Sequence, residues 1–384
     1  MSTPQVSCFS LRYGLLALAS IVVLVLTQGT CASPQRQAAT PAGASDLGSA
    51  YGGPISTWPA AELDSGAVFV ELGPLPKYAG PAYTAEQIAL GKDLFFDPRL
   101  SASNQISCAS CHTPELGWGD GLIQSIGHDR QRGKRNAPSL LNVADWQHFF
   151  WDGRATSLEA QVFFPIQAHD EMNQSLEDLP DKLAAIPGYP EKFKAAFQQD
   201  SIQLGAIAQA IAAFETTIRS RESRFDRFVK GHYDALTEQE IRGLDLFRTK
   251  ARCINCHNGP LFSDQQFHNS GQHLIGRSQE DLGRFLITQD SADIGKFRTP
   301  SLRDIAFTGP YLHHGNVLEL REVLTMYNSG MPQIIPKSLL DKQVFVPTHD
   351  PLFQPLGLDD GEIDDLLAFL QAISTRPRPI RTPG

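Results

Sequence analysis

Apolar positions recur every three or four residues in several separate stretches, whereas strand-like alternation is sparse and isolated. After Thr84-Ala-Glu-Gln87, a capping-box pattern that starts helices, Ile88, Leu94 and Phe95 fall on one helical stripe. The arrangement recurs after Thr237-Glu-Gln-Glu240, where Ile241, Leu244 and Phe247 take comparable places. Ile207, Ile211, Phe214 and Ile218 predict one helix from Ile202 to Val229. Leu366, Leu367 and Leu370 predict another over Asp360–Ser374, and Leu318 to Met326 reads as a short amphipathic helix. The pattern predicts an all-α chain with extensive loops.

The two capped helices carry a repeat. Gly91-Lys-Asp-Leu-Phe95 lies on the first and Gly243-Leu-Asp-Leu-Phe247 on the second. Each precedes a Cys-x-x-Cys-His motif, Cys108-Ala-Ser-Cys111-His112 and Cys253-Ile-Asn-Cys256-His257. The shared order of cap, helix and motif predicts two similar units. Two thiols at this spacing meet the two vinyl groups of a haem, and the adjoining imidazole reaches the iron. Each motif therefore reads as a covalent c-type haem site. A Cys-x-x-Cys pair also suits a zinc half-site or a redox dithiol, and one zinc site could use both pairs. Neither chemistry requires the histidine that follows both times. The expectation is two c-type cytochrome domains, residues 61–225 and 226–384, each around one covalently bound haem.

The 384 residues suffice for two domains, the hydrophobic fraction of 41% is ordinary, and the net charge of −9 argues against a nucleic-acid partner. Arg12 precedes an apolar run from Tyr13 to Leu26, short for a membrane span, so residues 1–32 read as a signal peptide cut after Ala32. Cys31 offers a second reading, cleavage before it with attachment of a lipid anchor, although Gln28 stands where such signals usually carry an aliphatic residue. Residues 33–60, rich in small and polar residues, read as a flexible linker, and the tail from Thr375 as an extended surface segment. Of the six cysteines, Cys8 and Cys31 belong to the signal region and haem consumes the other four, leaving none for a disulfide. Haem attachment of this type takes place outside the bacterial cytoplasm, which implies a periplasmic location.

Each iron has a second axial position. A filled one favours electron transfer, and an open one admits substrate. Of the four methionines, Met326 is the candidate on the second iron, with Tyr327, His313 and His314 as rivals. A methionine filling an apolar gap fits its position equally well. His128, in the loop Ser125-Ile-Gly-His-Asp, is the candidate on the first iron, although a loop histidine is more often solvated.

The segments Arg135-Asn-Ala-Pro-Ser-Leu-Leu-Asn142 and Phe149-Phe-Trp-Asp-Gly-Arg154, followed by Gln161 and Glu171-Met172, resemble the bacterial di-haem cytochrome c peroxidases and their MauG-like relatives. Leu94-Phe-Phe-Asp-Pro-Arg-Leu100 and Thr308-Gly-Pro-Tyr-Leu-His313 extend the resemblance, which spans residues 80–375. It implies that His112 is the proximal ligand of a low-potential peroxidatic haem and that His128 is its removable distal ligand. It further implies Glu171 as catalytic acid–base, Gln161 beside it, and Trp151 between the haems. His257 and Met326 are implied as ligands of a high-potential haem. A calcium ion is implied at Asn136 and the carbonyls of Thr308 and Pro310. Taken residue by residue, the chemistry is blander. Glu171 suits a solvated acid, Gln161 a helix face, Trp151 interface packing, and Asp152 with Arg154 an ion pair or a propionate contact.

The leading expectation is a homodimeric enzyme that reduces hydrogen peroxide with electrons from a small cytochrome c or cupredoxin. A second reading is a MauG-like oxidase of a protein side chain, and a third is an electron-transfer cytochrome without substrate. MauG-like enzymes use a tyrosine on the second haem and lack the closing histidine. Keeping His128 and Met326 points to the peroxidase branch, but Tyr327 is one step of helix phase away.

Overall fold

The computed structural model describes residues 44–333, 335–341 and 346–383. The expected signal peptide, Cys31 and residues 33–43 lie outside them. The chain begins with α1 (Ala44–Tyr51), α2 (Ala85–Phe96), α3 (Leu158–Gln167), α4 (Leu179–Ala184), α5 (Tyr189–Phe197) and α6 (Leu204–Glu215). It continues with α7 (Arg224–Val229), α8 (Glu238–Arg248), α9 (Phe285–Thr288), α10 (Leu320–Asn328), α11 (Lys337–Leu340) and α12 (Asp360–Ala372). Two-residue strands β1 (Phe267–His268) and β2 (Phe297–Arg298) pair antiparallel, and long loops join the rest. Among the described residues no helix is long and apolar enough to cross a membrane.

Both predicted capping boxes form. Thr84 and Gln87 exchange side-chain and backbone hydrogen bonds, as do Thr237 and Glu240. The repeat has a packing reason. α2 lies against α6, and α8 lies against α12. A Cβ added at Gly91 would sit 1.7 Å from the Ala210 carbonyl oxygen, and one at Gly243 would sit 2.0 Å from that of Asp365. Glycine at these positions lets two helices meet backbone to backbone. The following Phe95 and Phe247 are fully buried in two separate hydrophobic clusters. One cluster gathers α2, α3, α5 and α6, and the other gathers α8, α12 and residues from Tyr51 to Leu72.

Three expectations are corrected. Residues 44–60 are not a flexible linker. α1 packs on α8, Tyr51 is 0% exposed, and its hydroxyl bonds Asp245 at 2.8 Å while Arg248 reaches the Pro59 carbonyl at 2.7 Å. Leu72 packs with the second cluster, although the sequence reading put residues 61–225 in the first domain. The helix expected over 202–229 is two helices. The hydroxyls of Thr216 and Thr217 donate back to the carbonyls of Ala213 and Phe214, closing α6, and Ser223 caps α7 in a box with Asp226. The tail is extended and mostly exposed, pinned where Thr375 bonds Asp304.

Candidate active site

Each Cys-x-x-Cys-His motif begins as a single tight turn, Cys108–Ser110 and Cys253–Asn255. The amides of His112 and His257 donate to the carbonyls of Cys108 and Cys253, at 3.0 and 2.8 Å. Nδ1 of His112 lies 3.0 Å from the carbonyl oxygen of Trp118, and Nδ1 of His257 lies 3.1 Å from that of Phe262. A carbonyl can only accept, so both Nδ1 atoms carry the proton and both Nε2 lone pairs stay free, as in histidines oriented for metal ligation. Burial also pushes both imidazoles down, favouring the neutral form that binds iron.

The thiols are free. Burial raises Cys108 and Cys253, the latter to about 12, and pushes Cys111 up to about 11. Reactive dithiols need a depressed pKa, so these pairs do not suit dithiol exchange. The motifs line different cavities, which excludes one zinc site shared by four cysteines. Cys256, Asp264 and His268 do cluster closely enough for a metal. His268, however, already bonds Asp264 at 2.9 Å and Asp350 at 2.7 Å, and this double pairing raises it to about 12. Thiols and a free imidazole nitrogen on one cavity wall, twice over, fit two covalently attached haems.

The first cavity, of about 880 Å³, is lined by Cys108, Cys111, His112, Gln161 and Glu171. Burial, reinforced by Asp170, raises the Glu171 carboxyl, and Arg154 pulls it back. Gly127 lies against this segment so closely that a Cβ would stand 2.1 Å from the Asp170 carbonyl oxygen. His128 is the next residue, and its amide donates to the Glu171 carbonyl at 2.8 Å. Its ring does not line the cavity. Nε2 lies 3.5 Å from Asp129, the ring centre 6.1 Å from that of His169, and Nδ1 is buried without a partner. His128, expected as the distal ligand, therefore stands outside the cavity wall in this structure. It begins a turn in which Asp129 and Arg130 are left-handed.

Glu215 also lines this cavity, a residue the sequence reading passed over. It is 4% exposed, one carboxylate oxygen has no partner, and burial with nearby Glu159 pushes it up to about 8. The signal was there, since Glu215 stands four residues after Ile211 on the apolar stripe of α6.

Trp151 borders both cavities. It is buried, and its Nε1 donates to the Asn136 carbonyl at 2.9 Å. Asp152 beside it pairs with Arg154 at 3.0 Å and with Arg135 at 2.5 Å, and Arg135 also holds Asp281 at 2.6 Å.

The second cavity, of about 210 Å³, is lined by Cys253, Cys256, His257 and Tyr327. Met326 is not in its wall. Leu320, Val323, Leu324 and Tyr327 all line it, at the spacing of one helical stripe. At 100° per residue, Met326 points about 110° from that stripe. The helix phase thus sets Tyr327 rather than Met326 in the cavity wall, and its phenol is raised by burial and by Cys256 and Cys253. Of the other rivals, His313 lines the cavity with its ring stacked on Phe297 at 3.5 Å, and His314 does not line it.

Asn136, Thr308 and Pro310 also line the second cavity. The Asn136 side-chain amide donates to the Leu122 carbonyl at 2.8 Å. Among the described residues neither its Oδ1 nor the carbonyls of Thr308 and Pro310 accept a hydrogen bond. Three unused oxygens suit a hard cation.

A helical protein with two Cys-x-x-Cys-His cavities joined through one tryptophan defines a di-haem c-type cytochrome class. The family model for di-haem cytochrome c peroxidase matches residues 85–234. The methylamine utilization protein MauG of Methylorubrum extorquens is 40% identical over 313 residues, covering 81% of this chain and 84% of that protein. The cytochrome-c peroxidase IdrP1 of Denitromonas iodatirespirans is 38% identical over 340 residues, covering 80% and 87%. A crystal structure of a MauG-like protein associated with microbial copper homeostasis matches with a TM-score of 0.69 and 34% identity, covering 78% and 94%. The chain belongs to the di-haem cytochrome c peroxidase family, a family of oxidoreductases whose membership implies two haem c groups.

Proposed function

We propose that this chain is a di-haem enzyme of the MauG-like kind that reduces hydrogen peroxide to water at the first cavity with electrons from a protein donor. The observation that carries the reading is Tyr327, rather than Met326, in the wall of the second cavity. An oxygen ligand there favours the ferric state, whereas a thioether favours the ferrous one. Cys108 and Cys111 would attach one haem, Cys253 and Cys256 the other, each in its own c-type domain, with Nε2 of His112 and His257 toward the irons. When bound, the haems supply the redox chemistry, with peroxide binding at the first and one-electron storage at the second.

The protein's own part is proton handling and positioning. Reduction of one peroxide consumes two protons and two electrons and yields two waters. Glu171, whose raised carboxyl exchanges protons closer to neutral pH, takes the proton from the inner peroxide oxygen and returns it to the outer one, which leaves as water. Such acid–base assistance contributes roughly two to four orders of magnitude. Gln161 orients the peroxide by hydrogen bonding, and Trp151 bridges the two sites. A small cytochrome c or cupredoxin as donor, a calcium ion at Asn136, Thr308 and Pro310, a homodimer and periplasmic export belong to the same proposal.

The test is stopped-flow mixing of the fully oxidised enzyme with peroxide. A spectral change without prior reduction is expected, because the His128 ring stands outside the first cavity. An oxidised enzyme that stays inert until one electron is added sinks the proposal. That outcome favours a second reading, a reductively activated peroxidase in which His128 swings in. Gly127 in the cavity wall supports it, since His128 is the next residue. His128→Gly separates the two. It leaves peroxide reactivity unchanged in the first reading and removes the need for reduction in the second.

A further inference from the structure

Arg298 is 2% exposed and lines the second cavity. Among the described residues its guanidinium makes only long hydrogen bonds, from Nε to the Phe150 carbonyl at 3.3 Å and from one terminal nitrogen to the Thr299 carbonyl at 3.4 Å. No carboxylate pairs with it, so burial acts on its charge without opposition. Every other arginine buried to this degree here has a partner acid. Arg248 holds Glu71, and Arg303 holds Asp226. The Arg298 guanidinium carbon lies over the Trp146 ring, 3.2 Å from its centre, a contact that helps to hold the group in place. Trp146 lines the same cavity, and its Nε1 is a buried donor without a partner. A buried guanidinium without a carboxylate partner and a buried indole N–H without any partner line one cavity among the described residues.

We infer that Arg298 and Trp146 form a carboxylate-binding subsite of the second cavity, and that its occupant is a propionate of the haem attached at Cys253 and Cys256. The inference rests on the haem assignment made above. The propionates are the anionic groups of such a haem once both vinyls are consumed by cysteines. A carboxylate supplies the missing counter-charge, and its two oxygens match the donor fork of a guanidinium. Arg298 thereby cancels a negative charge near the second iron, which favours the reduced state. The subsite also ties the cofactor to the segment that bridges the cavities, because the Arg298 amide donates to the Trp151 carbonyl at 2.8 Å.

The experiment is a redox titration of Arg298→Gln, Arg298→Lys and Trp146→Phe holoenzymes, with covalent haem counted by intact mass. In Arg298→Gln the midpoint potential of the second haem falls while that of the first stays. Arg298→Lys lies between Gln and wild type, and Trp146→Phe shifts the same way by less. Unchanged potentials in Arg298→Gln with both haems attached overturn the inference. If Arg298→Gln does not fold, Trp146→Phe decides, and no shift there overturns it as well. A wild-type potential that depends on added acetate shows a free anion in the subsite and also overturns the propionate assignment. A wild-type chain with no haem at Cys253 and Cys256 overturns the cofactor reading instead, which the mass measurement reports separately.

Discussion

Gly91→Ala and Gly243→Ala test the packing on which both sites stand. In an ordinary exposed helix, Gly→Ala stabilises by up to about 1 kcal/mol. Here the new Cβ would lie 1.7 Å from the Ala210 carbonyl oxygen and 2.0 Å from that of Asp365. Contacts below 3.0 Å are essentially never made by a real Cβ, so α2 must retreat from α6 by at least 3.0 − 1.7 = 1.3 Å, and α8 from α12 by 3.0 − 2.0 = 1.0 Å. The obstacle is backbone in both cases and cannot rotate aside. Overpacking of this kind costs about 1–3 kcal/mol, with the larger displacement toward the upper end. After the propensity gain, Gly91→Ala should lose about 2 kcal/mol and Gly243→Ala about 1 kcal/mol. Gly205 is the internal control. It lies in α6, and an added Cβ meets nothing within 4 Å, so Gly205→Ala should gain a few tenths up to about 1 kcal/mol. Denaturant unfolding followed by circular dichroism reads all three. Because α2 packs on the Cys108 turn and α8 on the Cys253 turn, covalent haem content should fall in the same order. A Gly91→Ala protein as stable as Gly205→Ala would refute the reasoning.

Three further outcomes follow from the sites. Tyr327→Phe should change the optical spectrum of the second haem, and Met326→Leu should leave it unchanged; the reverse pattern would restore Met326 as the ligand. Glu171→Gln should keep both haem spectra and lose roughly two orders of magnitude or more in peroxide turnover, and undiminished turnover removes the acid–base role. Glu215 lends the fold a pH dependence. Below pH 4.5, folded and unfolded chains both carry its proton. Between 4.5 and about 8 the unfolded chain releases it while the folded chain holds it, so stability falls across that window. The fall is at most on the order of 5 kcal/mol, about 3.5 pH units at about 1.4 kcal/mol each. Glu215→Gln should flatten the unfolding free energy between pH 5 and about 8, and an unaltered slope excludes the buried acid as its source.

The sequence by itself determined what short-range chemistry encodes. The two Cys-x-x-Cys-His motifs, both capping boxes and the helices beginning at Ala85, Glu238 and Asp360 are each written within a few residues, and the caps and helices form as read. The repeated glycines were visible too, but only the helix crossings gave them a reason. What the tertiary structure alone decided is direction. Met326 and Tyr327 are adjacent in sequence, and the phase of α10 put Tyr327 in the cavity wall. His128 follows a glycine that touches the Glu171 segment, yet only the glycine lines the cavity. Glu215, Trp146 and Arg298 acquire meaning only when walls from distant parts of the chain enclose them and leave them unpaired. Local pattern reports which groups a helix or turn can present. Burial and partners arise from contacts between residues far apart in sequence, and those contacts separated two similar motifs into two unlike sites.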